Sequence, residues 1–176
     1  MNESLRGQLL IAAPSLFDHF RRTVVLVLEH SEEGAMGVVL NRVSETTVAE
    51  AVPTLGELAD AEERVRIGGP VSPQSVVALG DFEDPSEAST QVLGSVGVLD
   101  PDRPDAVLRR LRVYAGYAGW SGGQLEAELD ELSWVVESAD AEDVFGDEGD
   151  LWANVLRRKG GAFMLVATMP EDPSLN

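Results

Sequence analysis

"TVVLVLEHSEEGAMGVVL", residues 23–40, is the stretch that sets the fold class. Thr23–Glu29 is β-branched and apolar at successive positions, so a strand there needs cover on both faces and belongs in the middle of a sheet. Ser31-Glu32-Glu33-Gly34 is a turn, and Ala35–Leu40 is the next strand. The pair reads as a β-hairpin with a loop of four or five residues. Gly37 inside the second strand signals a bulge or a close approach of another backbone.

Working outward, Gln8–Ala12 is a short apolar strand stopped by Pro14. Thr46–Ala51 reads as a short helix broken by Pro53, and Leu55–Glu63 as a second short helix or irregular chain. Arg64–Ile67 alternates as a strand does and runs into Gly68-Gly69-Pro70, read as a strand-ending turn. Strands are expected at Ser75–Leu79 and Val92–Leu99, with a surface loop over Asp81–Gln91. Pro101–Pro104 is a turn leading into a helix to about Arg110. Leu111–Gly119 returns to strand, Gly122 to about Leu132 is helical, and Trp134–Glu137 is a strand. Helices follow at Ala141–Phe145 and Leu151–Lys159, with Gly160-Gly161 as the stop. Ala162–Ala167 is a last apolar element, and residues 170–176 form a tail after a domain spanning 1–169. Strands and helices interleave without regular βαβ spacing. The pattern predicts an α+β fold, a single compact domain with a mixed, mainly antiparallel sheet and helices packed on it.

Composition narrows the function classes. At 176 residues the chain can bury a core without staples, and it has no cysteine to make one. The absence of thiols also excludes cysteine nucleophiles and thiolate metal sites, and it favours a cytoplasmic address. A net charge of −18 opposes direct contact with nucleic acid or anionic membrane. Residues 126–150 carry acids and no base, read as a solvated acidic face. The apolar runs are too short to span a bilayer.

The densest motif is "GYAGWSGGQLEAEL", residues 116–129. Ser121 and Gln124 fit a capping box, in which the serine hydroxyl accepts the Gln124 N–H and the Gln124 side chain reaches back to the Ser121 N–H. Leu125, Leu129 and Leu132 then form one buried stripe. Gly122 and Gly123 could instead leave backbone N–H groups open to an anion, although the neighbouring acids oppose it. Gly122-Gly123-Gln124 spells the tripeptide of peptide release factors, a match too short to count in so acidic a chain. His19 and His30, with Asp18 and Glu29, lack any metal-binding spacing, so no metal is expected. No nucleophile elbow, phosphate loop or dinucleotide fingerprint occurs, so no cofactor is expected either. Asn41, at the end of a strand, reads first as a turn former.

Four segments in order, "GQLLIAAPSLFDHFRRTVVLVLEH" (7–30), "GAMGVVLNR" (34–42), "IGGPV" (67–71) and "GYAGWSGGQLEAEL" (116–129), resemble the YqgE/AlgH family of bacterial proteins across almost the whole chain. The resemblance implies a compact α/β domain with a mixed sheet in a cytoplasmic protein. It implies little chemistry; the label of transcriptional regulator on the AlgH branch comes with no known DNA-binding site. One departure is that Gly-Pro commonly precedes the Gly-Gln-Leu-Glu, where this chain has Ser121-Gly122. Proline and serine are alternative ways to begin a helix, which favours capping as the role of those two positions.

Three functional readings follow. The first is a regulatory or interaction protein without catalysis, acting through a protein partner. The second is a small-molecule binder or acid–base enzyme whose site joins Arg22, His30, Asn41, Trp120, Gln124 and Glu126, with Gly68 and Gly69 as further ligand-contacting candidates. The third, least favoured, is direct DNA binding. The second requires its side chains to converge on one pocket.

Overall fold

The computed structural model describes residues 4–16, 20–100, 102, 105–146 and 149–168. His19 and Asp18, three residues of the expected 101–104 turn (101, 103 and 104), and the tail 170–176 lie outside the described residues. The fold is α+β, with a mixed, mainly antiparallel sheet and helices packed against it. The hairpin of residues 23–40 forms as β2, Val24–Ser31, and β3, Gly34–Val39. β1, Gln8–Ala12, pairs antiparallel with β2, and β10, Trp134–Ser138, pairs with β1 at the sheet edge.

The double-sided apolar reading of β2 holds. Leu26 and Leu28 enter one core with Leu9, Ile11 and Trp152, while Val25 and Val27 enter another with Leu10, Trp120 and Trp134. The first is covered by α3, Ala141–Phe145, α4, Leu151–Lys159, and α5, Phe163–Val166. The second is covered by α2, Gln124–Asp130, through Leu125 and Leu129.

β9, Leu108–Ser121, is the spine of the sheet. Its C-terminal part pairs with β3, and most of its length pairs on the opposite edge with β6, Val71–Phe82. β8, Val96–Leu99, and β7, Thr90–Leu93, extend the β6 side. β4, Val43–Thr47, pairs with β5, Arg64–Ile67, which runs parallel to β9.

At Tyr114 and Ala115, β9 is flanked by β5 on one edge and β6 on the other. Residues 68–70 must therefore carry the chain from one edge of β9 to the other, over its backbone. A Cβ on Gly69 would lie 2.2 Å from the Tyr117 carbonyl carbon, and one on Gly116 would lie 2.4 Å from the Gly69 oxygen. The Gly68 oxygen also accepts the Val39 N–H at 2.8 Å, which ties the crossing to β3. The Gly-Gly-Pro segment is thus a backbone-on-backbone crossing and not a simple strand-ending turn.

Several local expectations give way to tertiary pairing. The helix expected to run to Arg110 is instead the start of β9, because Leu111 and Val113 point into a third core with Val65, Phe82 and Leu99, and Arg110 pairs across to Asp81. Val92–Leu99 is two strands joined by a turn, since Gly94 takes φ +50°. The short helix at 46–51 is one turn, Val48–Ala51 (α1), preceded by β4. The strand around 75–79 extends over the whole of β6, into part of the expected loop.

Asp81 on β6 is 4% exposed and knits this wing together. It accepts the Ser95 hydroxyl at 2.5 Å and the Arg110 guanidinium at 3.1 Å, with Arg109 at 3.5 Å. Burial pushes its carboxyl up, but the hydrogen bonds from Ser95 and Arg110 and the charges of Arg110 and Arg109 together outweigh that and hold it below the ordinary aspartate value.

Two predictions follow from these contacts. Gly116→Ala should cost about 3–4 kcal/mol, because it combines left-handed strain at φ +73° with the clash on Gly69. Chemical denaturation measures the loss. The Asp81 carboxyl titrates lower folded than unfolded, so its stabilisation is complete above the ordinary aspartate range and fades as pH falls through the folded value. Asp81→Asn should therefore destabilise by about 1–3 kcal/mol at neutral pH, and the gap from wild type should narrow in acid.

Candidate functional site

The polar residues singled out by sequence divide between the two ends of β2. Arg22 and Asn41 lie beside its start; His30, Trp120, Gln124 and Glu126 lie at its far end. At about 3.3 Å per residue the two groups are separated by roughly 25 Å of strand. Gly68 and Gly69 belong to the crossing over β9. The structure does not bring the eight candidates into one pocket.

At the first end, Asn41 completes the hairpin. Its Oδ1 accepts the Val24 N–H at 3.0 Å, and its Nδ2 donates to the Arg22 carbonyl at 2.9 Å. Both side-chain groups thereby substitute for a backbone ladder. Arg22, at φ +54°, places its guanidinium 4.4 Å from the Trp152 ring centroid, and the Trp152 indole donates to the Ala12 carbonyl at 2.8 Å. These residues line a cleft of about 280 Å³ with Arg21, Arg42 and Asp150.

At the far end, the backbone between Val27 and Glu29 carries a β-bulge opposite Gly37. Beyond it His30 pairs with Ala35, which packs on the same core as Trp120. His30 Nδ1 accepts the Leu5 N–H at 2.9 Å, which assigns the hydrogen of the neutral ring to Nε2. Nε2 stands 3.5 Å from the Glu126 carboxylate. The histidine therefore ties the N-terminal segment to the start of α2.

Trp120, Gln124 and Trp134 converge on Glu128. Its Oε1 accepts both indole N–H groups, each at 2.9 Å, and its Oε2 accepts the Gln124 amide at 2.9 Å. Phe20 joins the two indoles, with ring centroids 6.3 Å from Trp120 and 5.6 Å from Trp134. Glu128 is not among the site residues that the sequence singles out. The missed signal was the tryptophans themselves, because each buried indole N–H requires an acceptor.

The capping expectation is half met. The Gln124 side chain accepts the Ser121 N–H at 3.0 Å as expected. The Ser121 hydroxyl, however, sits 3.3 Å from the same Gln124 oxygen and does not cap the helix. Ser121 ends β9 opposite Gly34, and Gly123 at φ +83° is the residue that precedes α2. Leu125 is buried and Leu129 half-buried, but Leu132 is 76% exposed: α2 ends at Asp130, and Leu132 turns to φ +61°.

Among the described residues no cluster of His, Asp or Glu is arranged to hold a metal ion, and no helix is long and apolar enough to cross a membrane. Glu128→Ala should strand two indole donors in a half-buried site. The expected loss is about 2–4 kcal/mol, accompanied by a shift in tryptophan emission. Glu128→Gln, which keeps an oxygen for the indoles, should lose less.

A family model described as AlgH-like, DUF179, matches residues 9–164. A UPF0301 protein of Streptomyces coelicolor is 44% identical over 187 aligned positions, covering 98% of this chain and 96% of the relative. One from Chlorobaculum tepidum is 38% identical, covering 97% and 95%. Among solved structures, a Corynebacterium diphtheriae protein superposes with a TM-score of 0.85 at 31% identity, covering 95% of this chain and 93% of that one. The solution structure of the AlgH protein from Pseudomonas aeruginosa gives 0.73 at 29% identity, covering 97% and 98%. The match of sequence along nearly the whole chain, and of fold with it, places this protein in the AlgH-like family, also designated UPF0301.

Proposed function

We propose that this protein is a cytoplasmic regulatory protein that acts by docking another protein, not by turning over a substrate. The observation that carries this reading is the use made of its polar side chains. Asn41 serves as backbone for the hairpin, and His30 fastens the N-terminal segment. Trp120 and Gln124 are held by Glu128. An acid–base site needs a group within reach of a reacting atom and available to move a proton. Here the candidate groups act as joints of the framework, at two ends of a strand. The net charge of −18 supports a partner drawn in electrostatically, and it opposes DNA as that partner.

Photo-crosslinking residues placed one at a time on different faces, at exposed Met164, Val107 and Leu58 and at half-buried Met36, test this in living cells. A discrete protein adduct from one face and not the others is the expected result. Turnover of a metabolite by the purified protein, abolished by His30→Ala or Glu126→Ala in a folded variant, would sink the proposal.

A further inference from the structure

The bulge in β2 has a second effect. Leu28 packs in the first core, and Glu29 pairs with Met36, which packs against that same core. Two consecutive residues, Leu28 and Glu29, therefore reach the same face, where an unbroken strand would have turned Glu29 to the other. Bulges of this kind re-aim a side chain and are common beside binding sites. Here the re-aimed group is a carboxylate at the mouth of a cleft of about 300 Å³ between the β2–β3 hairpin and the β6–β8 wing. Leu28, Met36, Val76, Val77 and Val98 supply apolar walls, and Asp100 is a second acid on the rim. Among the described residues, the Glu29 carboxylate has no hydrogen-bond or salt-bridge partner.

The volume is at the small end of ligand sites, which run from roughly 300 to 1,000 Å³. It fits a side chain or two and no large cofactor. Glu29 and Met36 also line a neighbouring cleft of about 510 Å³ that runs past Arg6, His30, Glu33 and Trp120. The two clefts share only Glu29 and Met36, because His30 and Trp120 belong to the other face of the sheet, so the carboxylate stands at the margin of the apolar cleft.

We propose that this cleft docks a peptide segment of a partner protein that presents a lysine beside an apolar residue. The apolar side chain would enter between Met36, Val77 and Val98, and the ammonium would pair with Glu29 and Asp100. Apolar walls alone would accept many occupants; the two acids, on a protein of net charge −18, select a basic one. This assignment rests on the docking reading and adds to it the face and the chemistry of the partner.

Methyl NMR of the intact protein tests it, with an acetylated and amidated Leu-Lys-Leu peptide as probe. Saturable shifts are expected at Leu28, Met36, Val77 and Val98. Glu29→Gln, an exposed substitution that leaves the fold intact, should weaken binding about tenfold. Raised salt should weaken it further, and a peptide with norleucine for lysine should bind much more poorly. Equal binding of the norleucine peptide, indifference to Glu29→Gln, or no shifts at millimolar peptide would each overturn the assignment. Hexylammonium binding as tightly as the peptide would overturn the peptide occupant in favour of a small amine. A crosslinked partner engaged at another face would remove this site and leave the docking reading standing. No crosslinked partner at any face would remove the docking reading itself.

Discussion

The fold depends on a place where two backbones pass within van der Waals contact. Residues 68–70 cross β9 at Gly116 and Tyr117 with no room for a side-chain carbon on either Gly69 or Gly116. The crossing lets β5 lie on one edge of β9 and β6 on the other, so one long strand can serve both wings of the sheet. It also anchors β3 through the Val39 N–H. Dispersion gained at such contact is small per atom pair and large in sum, and it vanishes if the backbones are forced apart.

Two irregularities decide which side chains face which core. In "YAGYAG", residues 114–119, both tyrosines pack on the first core, although three positions apart they should alternate. Gly116 at φ +73° supplies the extra residue that resets the phase. The bulge in β2 does the same for Leu28 and Glu29 and sends His30 to the opposite face. A strand's alternation is a strict period of two, so each inserted residue exchanges the faces of everything beyond it.

Carboxylates, abundant in this chain, are used in two distinct ways. Glu128 and Asp81 are internal acceptors, one gathering two indoles and an amide, the other a hydroxyl and guanidinium groups. Asp143 is a third; it closes the cap of α3 with Asp140 and pairs with Arg158. Glu29, by contrast, faces solvent at the cleft mouth. The acidity of the sequence is thus more than a solvated surface, and composition alone gives no means of separating the two uses.

Sequence determined the parts of this protein that depend on local periodicity and turn chemistry. The doubly buried β2, its hairpin with β3, the helix after Ser121-Gly122-Gly123 and the one-domain α+β class are written in residue patterns a few positions long. Four short segments in order were enough to indicate the family. Tertiary structure alone decided the rest. Asp105–Arg110 carries helix-start signals, yet its Leu108–Arg110 portion became strand, because Arg110 found Asp81 and β9 found β6 across nearly thirty residues. Six of the site candidates divided between the two ends of β2, and the two glycines went to the crossing over β9, because the length of β2 holds its ends apart. Glu128 and Glu29 acquired their roles from neighbours distant in sequence and from a one-residue bulge. Such roles depend on which groups meet in space, and no local pattern of residues encodes that meeting.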